Sequence, residues 1–132
     1  MKKVFLFIIV VIMCLSLTSI AVALSDPEYL QMKRDSPEYA MAEAKLQKVW
    51  NELKSSMSKS AYSYLLDEQR EWIGRGRDEA ASGYIYKGYS RIEAYTMATI
   101  DRANYLPTRA KALENSNISN KNSAARKFLG VQ

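Results

Sequence analysis

With 132 residues and a formal net charge of +5, the chain is long enough for one domain, and its charges of both signs are interspersed. Histidine is absent and Cys14 is the only cysteine, which excludes a Ser-His triad and the ordinary ligand sets of zinc and copper. We therefore expect no metal, no other cofactor and no enzymatic activity, and nucleic acid is not an expected partner because no concentrated basic stripe is present.

The first 23 residues have the pattern of a secretory signal peptide. Two lysines precede an apolar run over positions 4–17, and positions 21–23 read Ala-Val-Ala, which supplies the small residues of a cleavage site. The run is shorter than the ~20 residues that a permanent transmembrane helix needs. We expect cleavage after this triplet and export to the periplasm or the extracellular space, without a permanent membrane anchor. A retained anchor and lipidation at Cys14 are the alternatives.

Cleavage would leave 109 residues with a charge of +3 and no cysteine. The mature chain would then depend on its apolar core, without the disulfides that small exported domains often have. We predict one helical domain over residues 24–114 and a flexible tail over residues 115–132, of which 115–123 are rich in Asn and Ser. Residues 25–35 are interpreted as a loose strap or a turn of helix.

The first long helix is predicted to begin at Ser36, a capping residue followed by Pro37 and Glu38. Apolar residues then recur every three or four positions over about 20 residues, which predicts one buried face. These residues are Tyr39, Ala42, Leu46, Val49, Leu53 and Met57. The opposite face is predicted to be solvated and holds Glu43, Lys45, Lys48, Glu52 and Lys54.

The second predicted helix has one face made of Tyr62, Leu65, Leu66, Gln69, Trp72 and Ile73. Glycine lowers helix propensity by about 1 kcal/mol relative to alanine, so Gly74 and Gly76 predict a kink or local irregularity. Residues 82–89 have no helical period and are predicted to form a loop.

The third predicted helix begins with the capping box formed by Ser90 and Glu93. Its buried face holds Ile92, Tyr95 or Thr96, Thr99, Ala103 and Leu106. Pro107 is expected to end or kink it, with a further short helix over residues 108–114 as one continuation. The predicted fold class is all-α, a small antiparallel three-helix arrangement with a flexible C-terminal tail.

Three short stretches of the predicted helices stand out: residues 69–72 read Gln-Arg-Glu-Trp, residues 77–80 read Arg-Asp-Glu-Ala, and the preceding helix has Ala-Glu-Ala-Lys-Leu at 42–46. With these stretches the chain resembles the LprI-like lysozyme-inhibitor family of small exported bacterial proteins. The resemblance extends over about residues 36–112. At the positions where family members commonly carry paired cysteines, this chain has Ala81 and Thr96, so it would be a variant without them.

Two groups of residues are candidates for a functional site. Gln69, Trp72, Arg77 and Asp78 form the family motif, which is either a recognition surface or, the interpretation that we favour, a core anchor with a hydrogen-bonded network around it. Tyr84, Tyr86, Lys87 and Tyr89 lie in the predicted loop, and tyrosine, glycine and serine make adaptable protein-binding surfaces. A plain connector is the alternative for that loop.

The resemblance and the signal peptide together predict an exported binding protein of the cell envelope, an inhibitor of lysozyme or of another peptidoglycan hydrolase. Like charges would oppose binding of a +3 protein to strongly basic lysozymes, so a more acidic hydrolase suits this chain better. The alternative is a periplasmic structural or immunity-type partner protein without inhibitor activity. The sequence leaves the oligomeric state open.

Overall fold

The computed structural model describes residues 26–130, and the predicted signal peptide lies outside the described residues. Within them the chain is helical and has no strand, which confirms the all-α class. The elements are α1 (Asp26–Asp35), α2 (Pro37–Ser56), α3 (Lys59–Glu71), a π-helical turn (Trp72–Gly76), α4 (Arg77–Tyr86) and α5 (Arg91–Leu129). The backbone stays right-handed helical across both ends of the π turn, so α3, the turn and α4 form one continuous rod. The described chain therefore has four helical rods instead of the three predicted.

The additional rod is α1, a segment that the sequence analysis interpreted as either a loose strap or a turn of helix. Its first turn holds Asp26 and Glu28, and its last turn holds Lys33 and Arg34, an order of charges that complements the helix dipole. Met32 is buried, and its carbonyl accepts the Ser36 N–H at 2.9 Å, which joins α1 tightly to α2.

Helix α2 begins and extends as predicted, with Ser36 accepting the Tyr39 N–H at 3.2 Å and Pro37 in the first turn. The predicted apolar face is directed inward: its first three members are buried and its last three, Val49, Leu53 and Met57, are half-buried. The assignment of Glu43 to the solvated face is wrong, because its side chain is half-buried beside the rod.

The irregularity predicted near Gly74 and Gly76 is the π-helical turn, in which the helix accommodates one extra residue. The insertion changes the angular register of the side chains around it. Ile73, which was predicted on the buried face, is 51% exposed, whereas Leu65 and Trp72 are buried.

The loop predicted over residues 82–89 is wrong, because α4 continues through Tyr86 and only a short turn at Lys87 and Gly88 leads towards α5. Gly88 adopts a φ of 98°, which glycine tolerates without strain. Packing explains the difference. Ala81 is fully buried and Tyr84 packs against the same cluster, which outweighs the about 1 kcal/mol that Gly83 costs in a helix.

Helix α5 starts at the predicted capping box, with Ser90 and Glu93 each accepting a backbone N–H of the other. It neither ends nor breaks at Pro107, and it continues through Leu129, so the segment predicted as a flexible tail is helical up to that residue. A proline inside a helix costs about 3 kcal/mol, and the buried neighbours Ala103, Leu106 and Ala110 offset that cost. Residues 118–130 are all exposed.

The buried side chains form two clusters along α5. One holds Met32, Tyr39, Ala81, Ala94, Tyr95 and Ala98, and the other holds Leu46, Leu65, Trp72, Ala103, Leu106 and Ala110. Since α5 contributes to both and contacts α2, α3 and α4, it is the central support of the fold. None of the helices described between residues 26 and 130 combines the length and the apolar character needed to cross a membrane.

Candidate functional site

The four residues of the sequence motif, Gln69, Trp72, Arg77 and Asp78, lie within and beside the π turn. Gln69, Trp72, Arg77 and Asp78 are each 9% exposed or less, so they form a buried polar cluster. Such groups need partners in the protein because burial removes their hydration.

Asp78 accepts hydrogen bonds from the hydroxyl groups of tyrosines on two other helices. Its Oδ1 atom accepts hydrogen bonds from Tyr29 of α1 at 2.7 Å and from Tyr95 of α5 at 2.6 Å. Burial, and then the bond to Asp78, raises the pKa of Tyr29 to about 12, and the same causes raise the pKa of Tyr95. Asp78 therefore joins α1, α4 and α5 at one atom.

Arg77 is enclosed by aromatic rings. Its Cζ lies 3.4 Å from the centroid of the Tyr29 ring and 5.6 Å from that of Trp72, both within range of cation–π attraction. Its Nη1 lies 3.6 Å from Glu43 Oε1, an ion pair too long to be a hydrogen bond. Among the described residues nothing accepts from its buried Nε.

Glu43 completes this side of the cluster. Its Oε1 accepts the Tyr39 hydroxyl at 2.5 Å, and burial together with that bond raises the pKa of Tyr39. The carboxylate thus faces both a buried hydroxyl and the Arg77 guanidinium, so it belongs to the site.

On the other side of Trp72, Gln69 is held by α5. Gln69 Oε1 accepts from Arg102 Nε at 2.9 Å. The Cζ of Arg102 lies 5.6 Å from the Trp72 ring and 5.1 Å from the Tyr105 ring, and burial lowers the pKa of Arg102. The Trp72 ring therefore lies within reach of two guanidinium groups.

A cleft of about 270 Å³, which we call the tryptophan cleft, opens between α2 and the π turn. Glu43, Gln47, Trp50, Gln69, Trp72 and Arg77 line it together with two aliphatic side chains. Three of the four motif residues therefore face a cavity as well as the core.

The second group of candidates lies at the corner between α4 and α5. We call Tyr84, Tyr86, Lys87 and Tyr89 the tyrosine patch. The rings of Tyr84 and Tyr89 meet edge to face with centroids 5.4 Å apart, and Lys87 Nζ lies 5.4 Å from the Tyr84 ring centroid. The structure brings these three side chains together, and Tyr86 stands beside them, 94% exposed.

Between residues 26 and 130 no group of three or more acidic, His or Cys side chains could hold a metal ion. The titratable groups with shifted pKa values in the buried cluster are tyrosines and an arginine, each hydrogen-bonded within the fold. Chemically, this arrangement can bind and orient a ligand.

Sequence reasoning missed the half-buried partners Tyr29, Glu43 and Arg102, and it placed Tyr39 on a buried face without giving it a role in the site. Tyr29 has no local signal, since it lies 49 residues from Asp78. Glu43 had one, because it follows Tyr39 by a single helical turn and can therefore accept its hydroxyl. Comparison with known protein families, with curated proteins and with solved structures finds no match for the chain.

Proposed function

We propose that the mature chain is an exported binding protein of the cell envelope whose partner is a peptidoglycan hydrolase that it inhibits. The tyrosine patch is the observation that supports a protein partner. Aromatic side chains are enriched among the residues that dominate protein interfaces, and here exposed Tyr86, Lys87 and Tyr89 lie at one corner beside the half-buried Tyr84.

The corner is ordered before any partner arrives. The Tyr84 hydroxyl donates a short hydrogen bond to Asp101, and the Tyr89 N–H donates to the Tyr84 carbonyl at 3.2 Å. Preorganised side chains lose less conformational entropy on binding. Tyr86, by contrast, projects into solvent, so it is suited to enter a pocket of the partner.

An antiparallel arrangement of α2, the rod and α5, with α1 added as a fourth element, is part of this proposal, because in it the tyrosine patch would lie at one end of the scaffold. Two contacts between the rod and α5 support it. Glu68 pairs with Arg109, and further along the rod Asp78 accepts from Tyr95, so positions on α5 decrease as positions on the rod increase.

The class of partner rests on the signal peptide and on the resemblance over residues 36–112. The mature charge of +3 favours an acidic hydrolase or an autolysin of the same cell, because opposite charges steer association. Lys87 is placed to meet a carboxylate of such a partner.

The test is a binding titration and a cell-wall clearance assay with acidic and basic hydrolases. We expect mature protein to slow an acidic hydrolase, and the combined Tyr84→Ala, Tyr86→Ala and Tyr89→Ala variant to bind at least about a hundredfold more weakly. The matched control is Tyr64→Ala, which removes an exposed tyrosine of α3. Because Tyr84 also packs against the core, circular dichroism is measured for every variant, and a loss of binding is assigned to the interface only where the helical content matches that of the parent.

Two results would contradict this proposal. If no hydrolase is slowed, the inhibitor function is wrong and a structural or immunity-type partner takes its place. If inhibition survives the triple substitution, the tyrosine patch is not the interface.

Export has its own test. We expect mass spectrometry of the envelope fraction to find a chain that starts at Leu24, because the Ala-Val-Ala triplet precedes it. Recovery of the full-length chain from the membrane pellet would instead support a retained anchor.

A further inference from the structure

We infer that the tryptophan cleft binds a neutral sugar ring, at a site separate from the tyrosine patch and independent of any protein partner. Trp50 and Trp72, the two tryptophans of the chain, both line it. A pyranose has flat C–H faces that pack on an indole ring and hydroxyl groups that both donate and accept hydrogen bonds. The cleft offers partners for each.

The charge of the cleft favours an uncharged ligand. Arg77 and Glu43 are its charged lining residues, and they lie within ion-pair distance of each other. Arg77 would attract a bound anion, and Glu43 would repel it, so the two interactions would offset each other. The side-chain amides of Gln47 and Gln69 are neutral and can both donate and accept hydrogen bonds, which suits the hydroxyl groups of a sugar.

One polar side chain that lines the cleft has a buried donor that the protein does not use. Arg77 Nε is buried and has no acceptor among the described residues, and the Nη1 contact to Glu43 is too long for a hydrogen bond. Gln69 adds an amide group to the cleft, and α5 holds it in place because its Oε1 accepts from Arg102. Because an unused buried donor is costly, a ligand oxygen near Arg77 would be bound favourably.

The volume of the tryptophan cleft and the π turn in its wall both fit a small ligand. The volume of about 270 Å³ is just below the about 300–1,000 Å³ of sites for drug-sized molecules, which fits a single ring. One wall is the π-helical turn, a rare distortion that is frequent at functional sites. Trp72, the first residue of this turn, lines the cleft and also packs on the core.

Tryptophan emission tests this directly, because every tryptophan of the chain lines the cleft. Mature protein is titrated with glucose, with N-acetylglucosamine and with inorganic phosphate, and is incubated with insoluble cell-wall glycan. We expect the sugars to cause a saturable change in tryptophan emission, with a dissociation constant on the order of 1 mM. This is the range for a ligand of about a dozen heavy atoms. Retention on glycan without a response to the monosaccharides would also support the site and would identify a polymer as the source.

The matched variants are Gln47→Ala in the cleft and Gln31→Ala on α1, both of which remove exposed glutamines and leave the core intact. Gln47→Ala should weaken sugar binding by about tenfold, as the loss of one hydrogen bond does, and Gln31→Ala should not. Equal affinities, no response to any sugar or glycan, or a saturable response to phosphate alone would overturn the inference. The triple tyrosine variant should still bind sugar. A failure of the proposed hydrolase inhibition would therefore not change how the sugar-binding result is interpreted.

Discussion

Tyr29 lies beneath the guanidinium group of Arg77, with the Arg77 Cζ 3.4 Å from the centroid of its ring. The hydroxyl of the same ring donates to Asp78, so two adjacent residues of α4 hold one tyrosine by its face and by its oxygen. Helix α1 is therefore an integral part of the fold, joined to the rod at the residues where the sequence motif is most distinctive.

We expect Asp78→Ala to destabilise the protein by about 3 kcal/mol. The substitution leaves the hydroxyls of Tyr29 and Tyr95 without their acceptor and removes a negative charge beside Arg77. Urea denaturation with a common slope measures the difference. Asp67→Ala is the control, because that exposed carboxylate should matter by less than about 0.5 kcal/mol. Equal losses in the two variants would show that the Asp78 hydrogen bonds add no stability.

Stability should fall with rising pH between about pH 10 and 12. Burial and the bond to Asp78 raise the pKa of Tyr29 from about 10 to about 12, so in this window the folded chain binds more protons than the unfolded chain. The contribution is complete below pH 10 and is lost as the pH passes through 12. Tyr29→Phe should make this decline shallower in denaturation series at several pH values, and Tyr64→Phe should not. Parallel declines in all three proteins would be inconsistent with this origin.

Trp72→Ala should cost about 3–5 kcal/mol, the usual loss for a large buried aromatic side chain. Since a domain has only about 5–15 kcal/mol of stability, the variant should melt far below the parent or fail to accumulate. Thermal unfolding followed by circular dichroism measures this. Ile73→Ala, on the exposed side of the same turn, should melt close to the parent. A Trp72→Ala protein that melts normally but no longer binds its partner would make Trp72 a contact residue.

The two glycines of the π turn should respond differently to alanine. A Cβ at Gly74 meets nothing within 4 Å, so Gly74→Ala should stabilise the helix by about 0.4–1 kcal/mol. A Cβ at Gly76 would lie 3.1 Å from Cδ1 of Trp72, a ring that packing holds in place. We expect Gly76→Ala to be destabilising and to shift tryptophan emission. The same sign for both substitutions in denaturant titrations would argue against a tight contact at Gly76.

Capping residues and apolar periodicity were enough to predict where α2 and α5 begin and most of the faces that they bury. Ile92 is the exception on α5: it was predicted on the buried face, but it lies in the first turn of the helix and is 39% exposed. Ser36 and Ser90 act through local hydrogen bonds, which a sequence shows directly. Gly83 and Pro107 misled the prediction for the opposite reason, because their low helix propensity is overcome by packing against distant residues.

The candidate site was only half visible in the sequence. Trp72, Arg77 and Asp78 stood out as a motif, but their partners come from α1, α2 and α5. Glu43 looked like a surface charge because it falls outside the predicted apolar face of α2, and only the approach of the rod shows that it faces Arg77. Contacts between residues so far apart depend on the tertiary fold, which no local pattern contains.

The length of α5 has a consequence for local unfolding of the protein. Its residues 118–129 are exposed on every side, so this end is held by backbone hydrogen bonds alone, without the packing that stabilises most helices. Its amide protons should exchange with deuterium long before those near Ala103 and Leu106, and a protease should cut there first. Among residues 26–130 we therefore expect the same helix to exchange slowest at its middle and fastest at its C-terminal end.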